Sequence, residues 1–193
     1  MRRALPILAV LALAGCGGGA RQDADEPRGE FKVEIVSASF PKSQHIAQPV
    51  QLKVRVRNAD DRTLHNVAVT VETKASEGNA AIAFGLRSTD PALADSGRPV
   101  WVLNEGPAGG DVANVNTWSA GTLGPGETKD LTWKLIASRA GSYTIDYRVA
   151  PGLTGRATAA EGDTSGSFDV TIDDEPVPAR IGRDGKVERG EDS

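Results

Sequence analysis

Cysteine is almost absent from this chain, and histidine is nearly so: 193 residues hold one Cys and two His. A single thiol excludes an internal disulfide and, with it, a cystine-stapled scaffold. With no further cysteine, His45 and His65 supply too few soft donors for a zinc or copper centre. They flank the alternating run QLKVRVRN, a strand of roughly 25 Å, and are expected near opposite ends of a sheet. The same scarcity argues against a Ser–His–acid triad, and no nucleophile-elbow pattern is present. Positive charge is short as well. Lys and Arg total 22 against 26 Asp and Glu, a net charge of −4. Nucleic-acid binders carry a clustered basic excess, so no nucleic-acid partner is expected. Long apolar runs are missing: Ala4–Ala14 is interrupted by Pro6 and falls well below the ~20 residues of a spanning helix. No phosphate-cradling loop precedes a helical pattern.

What is present begins with MRRALPILAVLALAGC. Two arginines and a short apolar run have the form of a secretory signal peptide. An amphipathic first helix is the other reading, but Ala4–Ala14 has no polar face to offer water. Leu13-Ala14-Gly15-Cys16 resembles the bacterial lipobox. That resemblance implies a diacylglyceryl group on the Cys16 sulfur and cleavage between Gly15 and Cys16. Sulfur is the nucleophile such a transfer needs. Each buried methylene contributes about 0.8 kcal/mol, and two acyl chains together hold a protein on a bilayer. The expected location is the cell envelope, on the extracytoplasmic face of a bacterial membrane, with the membrane a partner through the lipid on Cys16.

Composition then divides the chain. Residues 1–15 are the expected signal peptide. Residues 16–30 are the lipidated cysteine and a flexible tether, GGGARQDADEPRGE, without apolar periodicity. Residues 31–173 form the domain, and 174–193 are a charged tail with little to pack. Within the domain, short alternating runs replace helical periodicity. FKVEI places Phe31, Val33 and Ile35 on one face; the phase then slips to Val36, Ala38 and Phe40, as at a bulge or a sheet-switching strand. Leu52, Val54 and Val56 point inward, as do Val67, Val69 and Val71. Leu131, Trp133 and Leu135 repeat the pattern, followed by Tyr143, Ile145, Tyr147 and Val149, and then Phe168, Val170 and Ile172. Ala80–Phe84 is a further short strand candidate. Gly85–Asn116 reads as one long irregular insert, with PVWVL as a strand within it; loops of this length are often functional. About seven to nine strands with closely spaced turns fit an all-β, antiparallel β-sandwich, with a closed barrel the competitor.

GTLGPGETKDLTWKLIASRAGSYTIDYRV resembles the back half of bacterial immunoglobulin-like modules of the CARDB type. The resemblance rests on Gly121, Leu123, Pro125, Gly126 and Glu127, and then on Gly141 and Tyr143. VQLKVRVRNADDRTLHNVAVTV is similar to their extended–Asn–x–Gly–extended unit, with Ala59-Asp60-Asp61 where a glycine often sits. The resemblance implies an immunoglobulin-like fold and a binding or spacing role; it brings no catalytic residues and no cofactor. Tyr143 is either a tyrosine corner or a plain core tyrosine.

Three features are candidates for contact. Asp90, Asp95, Glu105 and Asp111 lie in the insert; calcium takes oxygen ligands, but these are too scattered for a D-x-D loop and read as solvated carboxylates. Trp118 and Trp133 have core phase. Trp101, with Asp95, Glu105 and Asp111 around it, is the candidate partner-binding group; its ring either meets a ligand or lids the core. Lys53, Arg55 and Arg57 form a basic stripe that either meets anionic polymers or lipid headgroups, or pairs with acids on neighbouring strands. The expectation is a non-enzymatic, membrane-anchored envelope lipoprotein whose immunoglobulin-like module binds or scaffolds, with an envelope protein or polysaccharide as its partner. A glycan- or wall-polymer-binding accessory is the alternative, and an envelope hydrolase ranks third.

Overall fold

In PVQLKVRVRN (β4, Pro49–Asn58) every second residue is buried. That alternation closes one sheet over another. The computed structural model describes residues 23, 25–75, 80–81, 84–86, 99–185 and 187–189, so Gly15, Cys16, Asp90 and Asp95 lie outside the described residues. Before β4 come β1 (Gly29–Phe31), β2 (Val33–Ser39) and β3 (Ser43–His45). After it come β5 (Ala68–Ala75), β6 (Ala80–Ala81), β7 (Gly85–Leu86), β8 (Trp101–Ala108), β9 (Asp111–Asn114) and β10 (Thr117–Ser119). The C-terminal half carries β11 (Thr128–Ala137), β12 (Gly141–Ala150), β13 (Ala157–Ala159), β14 (Ser165–Asp173), β15 (Ala179–Ile181) and β16 (Val187–Arg189).

One sheet runs β2-β4-β11-β8-β7 and the facing one β3-β14-β12-β5-β10-β9, with β6 also on β5. The order β2-β4-β11-β8 against β14-β12-β5 is the A-B-E-D against G-F-C order of an immunoglobulin constant-type sandwich. The protein is therefore an all-β, immunoglobulin-like sandwich. More strands occur than the sequence reading expects, because runs of two to four residues such as β3, β6, β7 and β9 are too short for alternation to register.

The core is built from the predicted inward residues. Leu52, Val56, Val67, Val69, Val71, Leu131, Trp133 and Ile145 have no exposed surface. The slip in the first run is a bulge: β2 loses register with β4 between Ile35 and Ser37, and Val36 is turned outward. Two aromatic series cross the interior. Tyr143, Trp101, Phe40, Phe168 and Tyr147 follow one another at centroid distances of 5.1–6.3 Å, and Phe84, Trp118 and Trp133 form the second. Tyr143 is the tyrosine corner: its hydroxyl donates to the carbonyl of Ala140 at 2.8 Å, just before its own strand.

The G-x-L-x-P-G-E turn proves structural throughout. Gly121 and Gly126 take positive φ, 76° and 74°, where a side chain would be strained. Leu123 is buried and bridges to Leu64. Glu127 reaches back to accept from the Gly124 N–H at 2.8 Å. Asn58, fully buried, ties this turn to the β4–β5 connection: its amide donates to the carbonyls of Arg62 and Leu123, and its oxygen accepts from Asp60 N–H.

Three sequence expectations change. The tether is shorter than 16–30. Glu26 is buried, and its carboxylate accepts from Leu153 N–H, Thr154 N–H and the Thr154 hydroxyl; β1 then pairs in parallel with β13. Composition marks a polar segment as free, but an acid with three donors is held. The described part of the insert Gly85–Asn116 is largely sheet, and residues 87–98 lie outside the described residues. β8 pairs along β11 with register shifts around Lys134, and β9 and β10 form a hairpin. The shifts, with Gly106 and Pro107 inside the strand, erase the period-two signal. The tail carries a hairpin, β15 against β16.

Candidate functional site

Trp101 opens β8 at the end of its sheet nearest β3. Its ring has no exposed surface, and its Nε1–H donates to Oε1 of Gln44 at 2.8 Å. Gln44, equally buried, donates through Nε2 to the Pro41 carbonyl. A ring closed in on all sides has no face to offer a sugar or a protein. The expectation of Trp101 as a contact residue is corrected: it is a core residue linking the two sheets. Trp118 and Trp133 are buried too, and both their indole N–H groups lack a hydrogen-bond partner.

The acidic neighbours do not gather around it. Glu105 is exposed on the outer face of β8 and pairs with Lys134 on β11 at 2.8 Å. Asp111 is exposed at the start of β9, opposite Ser119. Among the described residues no three His, Cys, Asp or Glu side chains gather so as to hold a metal ion.

Two of the three cations of the basic stripe are paired across the sheet. Arg55 makes a two-pronged contact with Asp130 on β11, at 2.6 and 2.7 Å, and the guanidinium holds that carboxyl below its usual range. Arg57 meets Glu34 on β2 at 3.2 Å. Such exposed pairs contribute little to stability, but they offset the charge of both arginines. On the opposite outer face, Lys74 pairs with Asp146 and Arg148 with Glu72. Those four groups line an open depression of about 430 Å³ with Ser165 and Ser167; its charges are satisfied in place.

At the β4–β5 connection, Arg62 grips Asp60 through Nε at 2.8 Å, and Lys32 N–H donates to the same carboxylate. The Arg62 hydrogen bond, then that of Lys32, holds the Asp60 carboxyl well below the usual carboxylate range. A depressed folded-state pKa contributes stability that is present above about pH 4, the unfolded value, and is lost as pH falls toward the folded one. Asp60→Asn should therefore be less stable than the parent at pH 7 and indistinguishable from it in strong acid. Urea melts at pH 7, 5 and 3 decide this; a gap that stays constant down the series would refute it.

The surface that the sequence reading missed as a site lies at the β9–β10 hairpin. Val112 and Val115 are 70% and 72% exposed. Asn116 closes the turn at φ 59°, a left-handed conformation that Asn tolerates. β9 ends the order of its sheet, so among the described residues no further strand pairs with its outer backbone edge. The signal in the sequence was DVANVN: two valines set among asparagines, in a stretch with no inward phase.

No protein-family model matches this sequence, and comparison with curated proteins finds no match. Solved structures show partial likenesses, with TM-scores below 0.5. The CARDB domain of a Pyrococcus furiosus protein, solved with di-metal ions, is 18% identical with a TM-score of 0.45, covering 75% of this chain and 94% of that one. The C-terminal domain of wzt is 13% identical with a TM-score of 0.43, covering 79% of this chain and 80% of that one. Escherichia coli alpha-2-macroglobulin activated by porcine elastase is 12% identical with a TM-score of 0.42, covering 77% of this chain and 10% of its own. Strand order carries the fold assignment, and nothing about binding or activity is taken from these likenesses.

Proposed function

We propose that this protein is a lipid-anchored, non-enzymatic binding module of the bacterial cell envelope, held by Cys16 and contacting an envelope protein through the β9–β10 edge. The observation that carries the contact is the pair of exposed valines, Val112 on the edge strand β9 and Val115 in the turn that follows it. An open edge pairs with extended polypeptide through its backbone, and apolar side chains beside it supply the burial. A protein partner is favoured over a glycan because all three indoles are buried, which leaves none to stack on a sugar. The anchoring rests on the lipobox resemblance of Leu13–Cys16.

Cross-linking from intact envelope tests both halves. The parent chain should capture a discrete protein, and a double Val112→Asp, Val115→Asp variant should lose it while melting at the same temperature. Equal capture by both removes the edge from consideration. In the same cells, Cys16→Ser should abolish incorporation of labelled lipid and release the chain from the membrane fraction; labelled lipid on that variant would sink the anchor.

A further inference from the structure

The strand registers divide the sandwich into two poles. Val33 pairs with Asn58, Thr128 with Arg57, Ala68 with both Ala150 and Ser119, and Arg148 with Ser165. One pole therefore gathers the connections 59–67, 120–127 and 151–164. The other pole gathers His45 against Asp173, Gly141 against Ile172 and Ala75 against Tyr143.

The N-terminal arm is fastened to the first pole at several points. Glu26 is clamped by Leu153 and Thr154, and Asp23 pairs with Arg156 at 3.3 Å. Gly29 N–H donates to the Arg156 carbonyl, and Ala160 N–H donates to Phe31. Arg62 lies 4.0 Å over the Phe31 ring and donates to the Glu30 carbonyl. Glycine at 152 leaves room for this seat: a Cβ there would stand 3.0 Å from a Glu26 oxygen, so the carboxylate would have to shift by a few tenths of an ångström. The chain after β14 leaves from the opposite pole, where the Glu175 carbonyl lies 3.0 Å from His45 Nδ1.

We infer that the arm is a strap that turns the pole carrying loops 59–67, 120–127 and 151–164 toward the bilayer, and sends the C-terminal hairpin away from it. This rests on the anchoring reading above. The first fastened residue, Asp23, is the seventh after Cys16, and that span reaches at most about 25 Å. A ten-residue strand such as β12 is itself about 33 Å long. With the strap seated, the opposite pole comes near the lipid only if the domain tips over; with residues 23–30 released, the tether outreaches the sandwich.

The chain has one cysteine, so a second one can be labelled alone once Cys16 carries lipid. Asp61, with its side chain 95% exposed, marks the strapped pole, and exposed Lys42 marks the other. Full-length chain carrying Asp61→Cys or Lys42→Cys is expressed with its leader, extracted with its lipid and placed in phosphatidylethanolamine–phosphatidylglycerol vesicles bearing a headgroup acceptor dye. Energy transfer should be greater from position 61 than from 42. Adding Glu26→Ala should narrow that difference and abolish hydrogen-exchange protection of residues 29–31, while β11 and β12 stay protected. Equal transfer from both positions of the parent, or more from 42, overturns the orientation. Failure of the parent to float with vesicles overturns the anchoring reading and this inference together. Protection at 29–31 that survives Glu26→Ala shows that the strap does not depend on the clamp and overturns that part.

Discussion

Trp101→Ala should cost about 3–5 kcal/mol of folding stability, the range of large core truncations. The variant would lose edge-to-face contacts with Phe40 and Tyr143, at 5.4 and 5.7 Å. It would also leave the buried Gln44 oxygen without its donor, which adds about 1–3 kcal/mol where water cannot enter. Gln44→Leu separates the two contributions, since it keeps the ring and orphans the indole N–H. Equilibrium urea unfolding should rank parent, then Gln44→Leu, then Trp101→Ala. A Trp101→Ala midpoint equal to the parent's would mean that the ring is not a core element. Loss of partner capture by this variant would report unfolding, so Trp101 is unsuited as a probe of binding.

Asn58→Ala should cost about 3 kcal/mol, because each buried polar group left unpaired carries roughly 1–3 kcal/mol. One side chain satisfies two carbonyls and one N–H across two separate connections. Asn58→Asp should be worse than Ala at neutral pH. Both of its oxygens accept, so one of them would face the carbonyls of Arg62 and Leu123 in place of a donor. Thermal melts of the three chains at pH 7 settle the order; an aspartate variant as stable as the parent would remove the donor role. Position 58 is the Asn of the extended–Asn–x–Gly–extended resemblance, and the fold supplies its reason. The residue after β4 need not be glycine here, since Ala59-Asp60-Asp61 turns the chain with Asp60 N–H on the Asn58 oxygen and Arg62 on the Asp60 carboxylate.

Much of the sandwich was legible where a strand exceeded about seven residues. β4, β11 and β12 alternate cleanly, and a period of two over that length admits little else. β8 failed this test despite eight residues. Its register shifts twice against β11, and each shift reverses which residues face inward. The candidate site fared worse for the same reason. Asp95, Glu105, Asp111 and Trp101 were grouped as neighbours in one loop, whereas β8 puts Trp101 inside and Glu105 on the outer face, paired with Lys134. Val112 and Val115 were passed over because exposed valines look like core residues until the surrounding strands are in place.

By itself the sequence determined the class of the domain, the inward set of its long strands and the turn at Gly121–Glu127. These are local properties, set by period, by φ preference and by residue type at fixed spacing. Tertiary structure alone decided that Trp101 is interior, that Arg55 of the basic stripe is paired and that Glu26 is a clamp. Each of those depends on a partner far away in the chain: Gln44 for Trp101, Asp130 for Arg55, and Leu153 and Thr154 for Glu26. Spacing along a chain carries no record of which distant donor an acceptor will meet; only the folded arrangement of strands and connections brings them within hydrogen-bond reach.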